Sequence, residues 1–189
     1  MKSAPRQLPN VLLVMGVAGS GKTTMGERLA LELGWPFRDA DNFHPPANVA
    51  KMSRGEPLTD DDRWPWLAAI AAWIDGQRTG APSGNAQRGP ERGIVSCSAL
   101  KRVYRARLLD GRPDVRLVYL SGDEPLIAGR MARRVNHFMP TSLLKSQFAA
   151  LEEPGPDENP IVIPIEPTPR RVLEHILAEL ARDGLSGGA

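Results

Sequence analysis

The run Gly16-Val17-Ala18-Gly19-Ser20-Gly21-Lys22-Thr23 has the spacing G-x-x-x-x-G-K-[ST], and each residue type in it has a task in binding phosphate. Glycines permit a loop whose backbone N–H groups converge on phosphate oxygens, and the start of a helix adds a favourable partial charge. Lys22 can reach the β- and γ-phosphates, and the Thr23 hydroxyl can ligate Mg²⁺. The plain alternative is a glycine-rich turn before a helix. The pattern points instead to a nucleotide.

Phosphate binding alone does not define a reaction, so the groups that could face the γ-phosphate matter most. Asp39-Ala40-Asp41 offers two carboxylates on alternate positions, which on an extended segment point to the same side. In phosphoryl transfer one can orient Mg²⁺ through water while the other accepts a hydroxyl proton; alone, the run also suits a polar turn. Ser96-Cys97-Ser98 has no acidic residue at the end of a later strand, which shifts the metal duty toward Asp39 or Asp41. Thr59-Asp60-Asp61-Asp62-Arg63 reads as a helix N-terminus capped by Thr59 or Asp60. Arg63 can grip a small-molecule carboxylate with its two-pronged guanidinium. Arg130 and Arg134 stand at i and i+4; a solvated basic face explains them simply, and a lid that neutralises the transferring phosphoryl group explains them functionally.

Hydrophobic periodicity supplies the elements that must position these groups. A short continuous apolar run predicts a strand over Val11–Met15, and further strands are read over Pro36–Asp39, Gly93–Ser96, Val115–Leu120 and Ile161–Ile165. Helical spacing predicts helices over Thr24–Leu33, Trp64–Gln77, Leu100–Leu109, Pro125–Arg134, Thr141–Leu151 and Pro169–Arg182. The stretch before Asp62 reads as polar and Pro-containing, and Arg78–Arg92 as a flexible surface loop. Strands alternating with helices predict a doubly wound α/β domain with ligands at the carboxyl ends of its strands.

At 189 residues and 41% apolar, the chain can bury the core of one domain, expected over 11–182 with a lid at about 130–150 and flexible ends at 1–10 and 183–189. A net charge of +2 argues for neither nucleic acid nor an anionic membrane as partner. The lone Cys97 excludes an intrachain disulfide framework, fits a reducing compartment and is expected as a buried structural thiol. No stretch approaches the ~18 apolar residues of a membrane helix, and Met1–Asn10 lacks the apolar core of a signal peptide, so a cytoplasmic protein is expected.

In order along the chain stand G-V-A-G-S-G-K-T, D-A-D-N-F-H-P, K-M-S-R-G-E-P-L-T-D-D-D-R-W-P-W-L, C-S-A-L-K-R-V-Y-R, N-H-F-M-P and Q-F-A-A-L-E-E-P. Together, from about Val11 to Leu180, they resemble the gluconokinases of the P-loop kinase superfamily, relatives of shikimate kinase. The resemblance implies a three-layer P-loop kinase fold: a five-stranded parallel sheet flanked by helices, with a helical lid. It implies ATP-dependent phosphorylation of D-gluconate to 6-phosphogluconate for the pentose phosphate pathway, with Mg²⁺, and commonly a homodimer. Carried over residue by residue, it makes Lys22, Asp41 and Arg134 catalytic, and gives ATP to Gly16 through Thr24 with Arg130 and Arg134. It assigns the sugar acid to Asp41, His44, Arg63, Ser98, Lys101, Arg105 and His137, the metal to Thr23 and, through water, Asp39, and the border of the base to Glu166-Pro167-Thr168. The chain departs from the family pattern at Asn136, where Gly is common, and in a longer Arg78–Arg92 loop.

Two rival readings use the same residues. One is a kinase for another small hydroxy acid, because an arginine and a few hydrogen bonds set acceptor choice. The other is a nucleotide-dependent switch, although no N-K-x-D base-reading motif accompanies the loop.

Overall fold

The computed structural model describes residues 9–79, 92–132 and 141–185. Along the chain run β1 (Val11–Met15), α1 (Lys22–Leu33), β2 (Phe37–Asp39), α2 (Pro46–Ser53), α3 (Asp60–Thr79), β3 (Gly93–Ser96), α4 (Arg102–Leu109), β4 (Val115–Ser121), α5 (Glu124–Ala132), α6 (Thr141–Ala150), β5 (Ile161–Pro164) and α7 (Pro169–Leu185). The strands form one parallel sheet in the order β2-β3-β1-β4-β5.

β1 lies at the centre of that sheet, and all of its side chains are buried, which is why its sequence is an unbroken apolar run. Alternate residues serve opposite faces. Leu12 and Val14 join Met25, Leu29, Ile127 and Ile176 on the side covered by α1, α5 and α7, whereas Leu13 and Met15 join Leu67, Ile70 and Leu108 beneath α3 and α4. This is the three-layer arrangement that the sequence leads one to expect. Its crevice opens at the carboxyl end of β1, where the chain crosses over to neighbours on either side.

The structure departs from the sequence reading at several element ends. Helix α2 forms inside the stretch read as merely polar, with Pro46 at its first position, where a fixed φ and a missing N–H cost nothing. Helix α3 starts at Asp60 rather than Trp64, because Thr59 Oγ1 accepts from Asp62 N at 3.3 Å while Asp62 Oδ2 accepts from Thr59 N at 2.8 Å. It also continues through Arg78 and Thr79, which the sequence assigned to the loop. Asn10, expected in a flexible end, is tied to Asp114 through its backbone N at 2.8 Å and its side chain at 2.9 Å. Helix α7 runs on to Leu185, into the expected tail. Arg134, Asn136 and His137 lie outside the described residues, as does most of the loop read over 78–92.

Candidate active site

The phosphate loop spans the gap between the end of β1 and the start of α1, at the mouth of the crevice. Gly21 takes φ 96° as the residue preceding α1. Gly19 takes φ 81°, and a Cβ there would stand 2.7 Å from Met131 Cγ, so both backbone and packing demand glycine. Lys22 Nζ donates to Val17 O at 3.0 Å. Burial pushes the Lys22 pKa below its ordinary value, against the opposing pull of Cys97, Asp41 and Asp39. Ala18 N donates to Gln147 Oε1 at 2.6 Å, a contact from α6 that no periodicity announces.

On the neighbouring edge, Thr23 Oγ1 donates to Asp39 Oδ2 at 2.7 Å, and Asp41 N donates to Asp39 Oδ1 at 3.1 Å. Asp39 therefore caps the short 3-10 turn Ala40–Phe43, and the Asp41 side chain is left 88% exposed. The turn is clamped from below, because Trp66 Nε1 donates to Ala40 O at 2.7 Å and the Trp66 ring stacks on His44 at 4.5 Å. His44 Nε2 lies 3.9 Å from Asp41 Oδ1. Burial lowers the His44 pKa most, Arg63 lowers it further, and Asp41 opposes both. Cys97 is buried and its thiol is pushed up to about 12, as befits a packing residue.

A cationic group lies at the start of α3 and before α4. Lys101 Nζ sits 3.0 and 2.9 Å from the two oxygens of Asp60, Arg63 Nη1 sits 3.5 Å from Asp60 Oδ1, and the Tyr104 hydroxyl donates to the same carboxylate. Arg105, expected at the sugar acid, is not there. Its guanidinium is fully buried, with Nε and Nη2 on Glu158 at 2.6 and 2.9 Å and Nη1 on Ala99 O and Leu100 O at 3.1 and 3.0 Å. Ala99 has φ 43°, an uncommon backbone state for alanine, so Arg105 holds a strained turn that delivers Lys101. Ser98 stays half-buried in that turn.

The third part is a cleft of about 420 Å³ lined by Gly19, Thr24, Arg130, Glu166, Thr168 and Val172. Arg130 donates to Ile165 O, so it belongs to this cleft. The structure thus brings Asp39, Asp41, His44, Arg63 and Lys101 together beside the phosphate loop, with Thr24 and Arg130 lining the adjoining cleft. Sequence reasoning missed Asp60, read only as a cap, and assigned no role to Tyr104 or Gln147. The last two stand inside the quoted motifs C-S-A-L-K-R-V-Y-R and Q-F-A-A-L-E-E-P, which were the available signal.

Comparison with known proteins gives the family and the fold. The family model described as shikimate kinase matches residues 18–63. A gluconokinase of Gluconobacter oxydans is 46% identical over 169 residues, covering 89% of this chain and 90% of its own. The crystal structure of a gluconokinase from Sinorhizobium meliloti superposes with a TM-score of 0.79 at 43% identity, covering 94% of each chain. A shikimate kinase from Aquifex aeolicus reaches a TM-score of 0.57 at 15% identity, covering 95% of this chain and 99% of its own, a likeness of fold alone.

Proposed function

The chain belongs to the gluconokinase family, and from that premise we infer how its own residues transfer the γ-phosphoryl group of ATP to D-gluconate, giving 6-phosphogluconate and ADP. ATP lies with its base in the cleft bordered by Thr168 and Arg130 and its phosphates on the Gly16–Thr23 loop. Lys22 leaves Val17 O for the β- and γ-phosphates. The gluconate carboxylate is held by Arg63 and Lys101, which presents the far end of the chain to Asp41. The 6-hydroxyl oxygen forms a bond to the γ-phosphorus as the bond to the β-phosphate oxygen breaks, and the hydroxyl proton passes to the Asp41 carboxylate.

The Thr23 hydroxyl and the Asp39 carboxylate form a hard-oxygen pair, the donor chemistry that Mg²⁺ prefers. When bound there, Mg²⁺ would neutralise charge on the β- and γ-phosphate oxygens. The reading also assigns phosphate binding to Arg134 and sugar-acid binding to His137. A homodimer and a cytoplasmic location belong to it as well. No helix among the described residues is long and apolar enough to cross a membrane.

The observation that carries these roles is an exposed Asp41 anchored through Asp39 to Thr23 of the phosphate loop. A coupled ADP-release assay with Mg-ATP and gluconate, shikimate, related aldonates, glycerate or no acceptor tests them. ADP release that depends on gluconate, with 6-phosphogluconate as product, is the expected result. Preference for another acid would rename the acceptor, and acceptor-independent hydrolysis would remove the roles of Asp41 and Arg63.

A further inference from the structure

Helix α3 does not need Asp60 for its cap. Thr59 and Asp62 satisfy each other there, and Asp62 also takes Lys51 at 2.7 Å. Asp60, in the same turn, reaches across to α4 instead. Its carboxylate collects Lys101 Nζ at 3.0 and 2.9 Å, Arg63 Nη1 at 3.5 Å and the Tyr104 hydroxyl. Arg63 and Lys101 also lie over the Tyr104 ring, at 5.8 and 5.4 Å from its centroid. Two cations thus face one carboxylate, which leaves a surplus of positive charge.

The group is open to solvent: the side chains of Asp60, Lys101 and Arg63 are 47%, 34% and 32% exposed, whereas Arg105 is sealed at 0% against Glu158. It is also continuous with the reacting end of the crevice. Arg63 is close enough to His44 to act on its titration, and His44 Nε2 is 3.9 Å from Asp41 Oδ1.

We propose that Asp60 is a carboxylate placeholder: without acceptor it occupies the donors of Lys101, Tyr104 and Arg63, and the sugar acid's own carboxylate displaces it. The proposal rests on the reading of Arg63 and Lys101 as the acid-binding cations. Exchanging one carboxylate for another leaves the two cations facing the same single negative charge before and after, so the step exposes no additional unpaired charge. Asp60 is held by exposed pairs, which are weak, and yields readily. An uncharged polyol of the same length brings no charge to exchange and leaves Asp60 in place, so the device favours acids over alditols.

Calorimetric titration of gluconate and of glucitol into wild type, Asp60→Asn, Arg63→Ala and Lys101→Ala tests this. Asp60→Asn should tighten the gluconate Kd by about two- to five-fold, the worth of an exposed pair, with no gain for glucitol. An unchanged or weaker gluconate Kd would overturn the placeholder and leave Asp60 as an orienter of Lys101. Gluconate binding that survives in both Arg63→Ala and Lys101→Ala would instead remove the acid site, and the proposal with it. Carboxyl ¹³C NMR of wild type needs no variant: saturating gluconate should raise the Asp60 titration midpoint toward the ordinary carboxylate range, and an unmoved midpoint overturns the exchange.

Discussion

Thr23 and Asp39 share a hydrogen bond of 2.7 Å between the hydroxyl that closes the phosphate loop and the carboxylate that ends β2. The bond joins the first turn of α1 to the end of β2, and the other Asp39 oxygen takes Asp41 N at 3.1 Å. One carboxylate therefore sets both the metal-side hydroxyl and the turn that carries Asp41.

That double duty predicts how Asp39→Asn behaves. The change keeps hydrogen-bonding capacity but removes the charge, so the Mg²⁺ needed for half-maximal activity should rise by about 10- to 100-fold, the usual effect of a lost outer-shell partner. Thr23→Val added to Asp39→Asn should cost less than Thr23→Val alone, since the shared bond has already lost its charge assistance. Titration of activity with Mg²⁺ measures both effects, and full additivity would separate the two residues.

Asp41→Asn should lower kcat by about 10²- to 10⁴-fold with a much smaller change in ATP affinity, as expected when a proton acceptor is lost. Because the side chain is 88% exposed, thermal stability should stay within about 0.5 kcal/mol of wild type. Equal kcat in the two proteins would sink the proton-acceptor role.

Arg105→Met tests the placement of Arg105 in the core. If Arg105 anchors the strained Ala99 turn from the core, the variant should lose about 3–5 kcal/mol in urea unfolding, because the largely covered Glu158 carboxylate loses its guanidinium partner and the Ala99 and Leu100 carbonyls lose their donor. An effect on gluconate KM with unchanged stability would return Arg105 to the substrate.

His44 gives the fold a pH dependence of definite sign. Its folded pKa lies below the ordinary 6.5, chiefly through burial, so the folded chain binds fewer protons than the unfolded one and stability rises with pH between the two values. The stabilisation from neutral His44 is complete above pH 6.5 and is lost as pH falls through the depressed folded value. Wild type should therefore exceed His44→Gln in stability at pH 7.5, and the gap should narrow on acidification. Denaturant curves at a series of pH values check this; a gap that widens toward acid would reverse the assignment.

Legibility in the sequence differed from one element to the next. The phosphate loop was legible because its spacing is local and each residue does a separate job. Strand β1 was legible because burial on both faces leaves an uninterrupted apolar run, and β3 and β4 because their buried centres, Ile94-Val95 and Leu117–Leu120, are apolar. Helix α2 was not, since its eight residues Pro46–Ser53 bury little beyond Asn48 and so show no apolar stripe. Asp60 and Arg105 were read in reverse: the apparent cap holds the cleft cations, and the apparent cleft arginine is core.

By itself, then, the sequence determined the phosphate loop, the order along the chain of the strands and of every helix but α2, and the paired carboxylates at the end of β2. These depend on neighbours within a few residues, where spacing dictates what can meet. Only the tertiary structure decided the spatial order β2-β3-β1-β4-β5, the contact of Gln147 with Ala18, and the partner of each arginine. Arg105 and Glu158 are separated by 53 positions, and Lys101 and Asp60 by 41, so charge alone offers each cation several carboxylates and only packing selects one.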